Sequence, residues 1–120
     1  MLKIQIPLLA PGLNGPKGLI RMHFAAYAKV KDVWTWHLKK ERHKAPDVCA
    51  ITIERYYCSQ PMDIDNLYST CKIPLDAMKA AKIIVDDNPA CVASLRCLQF
   101  KVKTRKEECT WILVEDGGNS

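Results

Sequence analysis

Residues 62–89, MDIDNLYSTCKIPLDAMKAAKIIVDDNP, decide how this chain is read. Two aspartates one residue apart open the stretch, two adjacent ones close it, and a lysine-studded segment with helical spacing lies between. A helix from about Asn66 to Ile83 would be roughly 27 Å long and would hold the acidic pairs apart. Pro74 falls inside it, and an interior proline removes a hydrogen bond and clashes with the turn before it. The sequence therefore predicts that NLYSTCK forms a separate first piece and that the regular helix begins near Pro74. The regular part would then be only about 15 Å long.

Working outward, LKIQIPLL alternates and predicts a first strand over residues 2–8. APGLNGPKG is a loop by its glycines and prolines. From about Leu19 to His43 the apolar positions Ile20, Phe24, Tyr27, Val30, Trp34 and Leu38 recur at helical spacing. The helix closes on a basic turn that includes Lys39, Lys40, Arg42 and Lys44, and Pro46 stops it. Trp34 and Trp36 fall on different faces, one for the core and the other for a dimer interface. DVCAITIERYYCS, residues 47–59, is a strand. After the quoted segment come two more, CVASLRCLQFKVKT and CTWILVE, with RKEE as a hairpin turn between them. The order β-α-β-α-β-β predicts an α/β (α+β) fold, one compact domain over residues 1–120 with a mixed sheet packed against helices. The tail, about 116–120, reads as frayed.

Composition narrows the class. The chain is 48% hydrophobic and 26% charged, as soluble globular proteins are, with a net charge of +5 that hints at a polyanionic partner. No run approaches the ~20 apolar residues of a membrane helix. Pro7, Pro11 and Gly12 break the N-terminal apolar patch, so no signal peptide is expected and the cytoplasm is the expected compartment. The six cysteines lack CxxC spacing and form no zinc pattern with the histidines, which leaves buried free thiols as the expected state.

Asp63 and Asp65, if extended, point to one side about 7 Å apart at Cα. Such a pair can share Mg²⁺, which binds through one or two carboxylates, phosphate and water. Each pair taken singly is equally a solvated surface pair, and Asp65 would make a good helix N-cap. Lys101, Lys103 and Arg105 alternate with Phe100, Val102 and Thr104, which predicts a basic strand face. That face suits either phosphate backbones or the protection of a sheet edge.

The combination of DIDNL, Lys72, LDAM and a later DD resembles the RusA family of Holliday junction resolvases and RusA-like endonucleases, through Asp63, Asp65, Asn66, Leu67, Lys72, Leu75, Asp76, Asp86 and Asp87. The resemblance implies a RusA-like fold and a homodimer that nicks branched DNA, such as a four-way junction, in symmetric fashion during recombination or repair. The cofactor it implies is Mg²⁺, for which Mn²⁺ can substitute. It makes Asp63, Asp65 and Asp87 metal-binding and catalytic, with Asp86 beside them as a further metal ligand and Lys72 facing the scissile phosphate. DNA contacts are expected from Lys72, Lys101, Lys103 and Arg105. The alternative role for Lys72 is an ordinary ion pair with Asp76 at i+4. The longer spacing from Asp65 to Lys72 resembles a phage-type subgroup. A branched-DNA-binding protein of the same fold without catalysis is the second reading.

Overall fold

A computed structural model describes residues 1–12, 18–19, 22–41 and 44–117. Ile20, Arg42, His43 and the tail residues 118–120, all part of the expectations above, lie outside the described residues.

Strand β1, Leu2–Ile6, sends Ile4 and Ile6 into the core by simple alternation. Helix α1, Phe24–Lys39, is shorter than expected at both ends. Leu19 folds back to hydrogen-bond the Gly12 carbonyl at 2.8 Å, and the helical ladder starts only with the Tyr27 N–H on His23. Trp34, Thr35 and Leu38 form its buried face, whereas Trp36 is 59% exposed beneath the Lys40 ammonium.

Strand β2, Cys49–Tyr57, alternates without a break, burying Cys49, Ile51, Ile53, Arg55 and Tyr57. The predicted helix over 66–83 is two helices, α2 (Ile64–Ser69) and α3 (Lys72–Ala80). The break comes at Thr70 and Cys71, where the Thr70 hydroxyl donates back to the Leu67 carbonyl at 2.6 Å. Pro74 sits in the first turn of α3, where a missing N–H costs nothing. Helix α3 stops before Ile83 because Lys82 takes a left-handed conformation at φ 62. The Ile83 N–H then reaches Met78 O at 2.9 Å and the Lys82 N–H reaches Lys79 O at 3.1 Å. Those two bonds are the Schellman closure, and they turn Ile83 and Ile84 into the core.

Strand β3, Val92–Lys101, runs parallel to β2, and β4, Cys109–Asp116, runs antiparallel to both β2 and β1. The sheet order is β1-β4-β2-β3. The expected β3–β4 hairpin is therefore absent: the two strands flank β2 on opposite sides. RKEE contributes a 3-10 turn, Arg105–Glu107, held by a Thr104–Glu107 capping box. The connection strides over the end of β2, where the Val102 N–H bonds Tyr57 O at 2.8 Å and the Cys58 N–H bonds Glu108 Oε2 at 2.8 Å.

The result is one domain of the expected class, a mixed four-stranded sheet with helices on one face. Among the described residues all six cysteines are free thiols, and no helix is long and apolar enough to cross a membrane.

Candidate functional site

Asp63 precedes the first residue of α2 in extended conformation, and its carbonyl receives the Leu67 N–H at 2.7 Å. Its carboxylate caps nothing and has no partner among the described residues. Asp65 already lies in the first turn, so the extended pairing of Asp63 with Asp65 is not formed: helical φ and ψ begin at Ile64. Asp65 Oδ1 accepts the Asn66 N–H at 2.9 Å, and the carboxylate stays exposed. A negative charge in the first turn is favoured by the helix dipole.

One clasp and one close approach mark this segment, and neither was foreseen. Gln99 on β3 clasps Met62 from both sides: its Oε1 accepts the Met62 N–H at 3.0 Å, and its Nε2 donates to Met62 O at 2.8 Å. Gly12 lies so close to α2 that a Cβ there would stand 2.6 Å from Asn66 Oδ1. Gln99 falls in the inward phase of β3 alternation, which was the available signal. Nothing local marks Gly12 as a neighbour of Asn66.

Lys72 opens α3 and points to α1. Its Nζ lies 3.6 Å from Asp76 Oδ2 and 5.7 Å from the Tyr27 ring centroid. Asp76 also accepts the Tyr27 hydroxyl. Burial, then the bond to Asp76 and its charge, push the Tyr27 phenol far above its ordinary value, so it remains a neutral donor. The i+4 ion pair is thus the partner that the structure gives Lys72.

The second acidic pair has its own cation. Lys79 Nζ stands 3.4 Å from Asp86 Oδ1 and 3.7 Å from Asp87 Oδ1. Asp86 also receives the Asp87 N–H at 2.7 Å and Asn88 Nδ2 at 3.3 Å. The Asp87 N–H, the Asp87 side chain and Lys79 hold the Asp86 carboxyl below its usual range, while the hydrogen bond to Asp86 and the charges of Asp87 and Asp86 raise the Lys79 ammonium.

The structure does not bring the two acidic pairs together. Met62 is tied to the sheet through Gln99, opposite Arg55, whereas Cys91 is tied to Cys49. Those levels are six residues apart on β2, about 20 Å along the strand. Among the described residues no three His, Cys, Asp or Glu side chains are grouped to hold a metal ion.

The basic residues are placed differently from the expected strand face. Only Lys101 belongs to β3; Lys103 lies in the connection and Arg105 in the 3-10 turn. The reason is that pairing with β2 runs out at Tyr57, so the alternation stops there. All three are exposed at the C-terminal end of the parallel β2–β3 pair. Lys101 Nζ donates to Ser59 O at 3.3 Å, four residues before Asp63. Acidic pair and basic connection therefore occupy one end of the sheet.

Beneath that end lies Arg55, only 7% exposed, its Nε and Nη1 without hydrogen-bond partners among the described residues. Burial lowers its pKa, opposed by the charge of Glu108. Its place in the buried phase of β2 marks it as unusual from sequence alone.

No protein-family model matches the chain, and no curated protein matches it either.

Proposed function

We propose that this chain is a Mg²⁺-dependent endonuclease of the RusA type that nicks branched DNA as a homodimer. The observation that carries the reading is the placement of Asp63 and Asp65 at the same sheet end as Lys101, Lys103 and Arg105. Cationic side chains supply affinity for phosphates, and a carboxylate-held metal beside them can activate water for phosphodiester hydrolysis. Ligands of parallel strand pairs also favour the carboxyl ends of the strands.

The donor chemistry fits Mg²⁺, since among the described residues Asp63 has no partner and Asp65 uses one oxygen only for a local N–H. Bound there, the ion would lower the pKa of a water and act as a Lewis acid on the phosphoryl oxygen. The chain's own residues do the rest. Gln99 fixes the backbone that carries the carboxylates, Gly12 leaves room for the Asn66 side chain, and the basic connection binds the DNA backbone without reading sequence. A two-fold pair of sites matches two like strands of a four-way junction.

A junction-binding protein without catalysis is the second reading, favoured by the distance of Asp86 and Asp87 and their engagement by Lys79. A labelled four-way junction and a matched duplex, incubated with Mg²⁺, Mn²⁺ or EDTA, separate the two. Symmetric nicking of the junction alone, only with metal, is the expected outcome. Binding without cutting in any metal transfers the reading to the binder.

A further inference from the structure

Apart from the acidic segment, one more cluster of reactive groups gathers Cys71, Cys97, Thr70 and Arg55. Cys71 stands at the break between α2 and α3, and Cys97 faces it from β3; both are buried. The Cys71 thiol hydrogen-bonds the Cys97 sulfur. Cys97 Sγ also lies 3.6 Å from Leu67 O and 3.9 Å from the Thr70 hydroxyl. That hydroxyl bonds Leu67 O in its own turn, and it can swing to the sulfur instead.

A buried cation sets this pair apart from ordinary core thiols. Cys97 pairs with Ile53, and Arg55 follows in the same inward phase of β2, so their Cα atoms are about 8 Å apart. The charge of the guanidinium is felt at the sulfur. The bond from Cys71 lowers the Cys97 pKa most, burial opposes it, and Thr70 and the Arg55 charge lower it further. Donating that bond, and then burial, raise Cys71. When the pair gives up one proton, the charge therefore rests on Cys97 and the remaining proton on Cys71. Glu108 and Tyr57 are the other ionisable groups about Arg55, and neither hydrogen-bonds its Nε or Nη1. Cys49 and Cys91 are neighbours too, but burial and Cys91 both raise the Cys49 thiol.

We infer that Cys71 and Cys97 are a redox-sensitive pair that a hydroperoxide converts into a disulfide, tying the α2–α3 break to β3. With hydrogen peroxide, the Cys97 thiolate attacks one oxygen and the O–O bond breaks, leaving Cys97 sulfenic acid and hydroxide. The Cys71 sulfur then attacks the Cys97 sulfur; the S–S bond forms and the S–O bond breaks. The Cys71 proton leaves with that oxygen as water, and the hydroxide takes up the proton that Cys97 had released. Two thiols lose two electrons, and one peroxide becomes two waters. A disulfide needs sulfurs about 2.0 Å apart and Cα atoms within about 7 Å. The sulfurs already touch. At Cys71 the backbone bonding is of the 3-10 kind, Cys71 N–H to Tyr68 O at 3.1 Å, so the break can adjust without uncoiling either helix. Oxidation would stiffen the junction between the helix that carries Asp65 and the helix that opens with Lys72, whatever chemistry that end of the sheet performs.

Peptide mapping by mass spectrometry tests this, on the full chain treated with hydrogen peroxide and then blocked at its free thiols in denaturant. The chain is expected to lose about 2 Da, two hydrogens. Blockable thiols should fall from six to four, with residues 71 and 97 recovered in one linked peptide, and dithiothreitol should restore all six. The oxidised chain should unfold at a higher urea midpoint than the reduced one. Arg55→Met should slow formation of the bond about tenfold near pH 7 and by less near pH 9, where thiolate forms without help from the cation. A bond mapped to Cys49 and Cys91, or oxidation confined to the half-buried Cys58 and Cys91, overturns the inference. So does a bond between residues 71 and 97 that forms equally fast in Arg55→Met near pH 7.

Discussion

Gln99→Leu is the perturbation that most directly tests how the acidic segment is held. The side chain makes two hydrogen bonds to one residue, Met62, immediately before Asp63. Each such bond contributes about 0.5–1.5 kcal/mol net, and a buried group left unpaired costs about 1–3 kcal/mol. Met62 is only half-buried, so water can replace part of what is lost. The expected destabilisation is therefore about 1–2 kcal/mol, read as a lower urea midpoint with an unchanged slope.

The functional effect should exceed the stability effect. Without the clasp the chain between Ser59 and Asp63 is free to shift, and a misplacement of about 1 Å at a reacting centre can cost about 100-fold in rate. On the proposed reading, single-turnover junction cleavage by Gln99→Leu should fall by one to two orders of magnitude, while junction binding, assigned there to Lys101, Lys103 and Arg105, should change little. Gln99→Glu keeps an acceptor for the Met62 N–H and loses the donor, so it should be intermediate in stability. A Gln99→Leu protein with wild-type midpoint and wild-type cleavage would show that the clasp positions nothing.

Three further outcomes follow from the geometry. Asp65→Asn should abolish cleavage and leave junction binding equal or tighter, because one repulsive charge facing phosphate is gone; a folded variant that loses binding together with cleavage contradicts the assignment. Lys82→Gly should raise stability by about 0.5–1 kcal/mol in urea unfolding, since relief of left-handed strain of about 1–2 kcal/mol is offset in part by the entropy of glycine in the unfolded chain; a loss of stability would mean that the Lys82 side chain contributes more than its backbone costs. Arg55→Met replaces a buried guanidinium with two unpaired nitrogens by an apolar side chain of similar length, and should be neutral or stabilising by about 1–2 kcal/mol; destabilisation above that size would reveal a partner for the arginine.

The element order could be read from sequence because each strand carried its own alternation and each helix its own spacing. The break before Pro74 was also legible, although the chain places it at Thr70 and Cys71, where a threonine hydroxyl competes for a helix carbonyl. The hairpin reading of RKEE failed for a reason that no local pattern reports. Two short strands joined by a polar turn suit a hairpin equally well as a stride over a third strand, and here β2 takes the central place. The Lys101–Lys103–Arg105 alternation misled in the same way, because a period of two persists in sequence after pairing has ended at Tyr57. Gln99, Gly12 and Tyr27 reach the site from elements distant in the chain, and their roles depend on contacts that only the fold creates.

The two acidic pairs also differ electrostatically in a way that sequence spacing hides. Along α3 the charges satisfy one another: Lys72 with Asp76, then Lys79 with Asp86 and Asp87. Nothing comparable among the described residues serves Asp63. The Lys79 ion pairs are exposed, and exposed pairs are weak and screened by salt, so Lys79 alone would be no obstacle to a divalent ion at Asp86 and Asp87. The obstacle is placement: the chain segments that carry the two pairs are tied to the sheet about 20 Å apart, through Met62 and Cys91, and no three acidic side chains are grouped among the described residues. A carboxylate that has no internal cation among the described residues is where an external cation gains most. Under the nuclease reading proposed above, the metal is therefore assigned to Asp63 and Asp65, and Asp86 and Asp87 belong to the turn between α3 and β3.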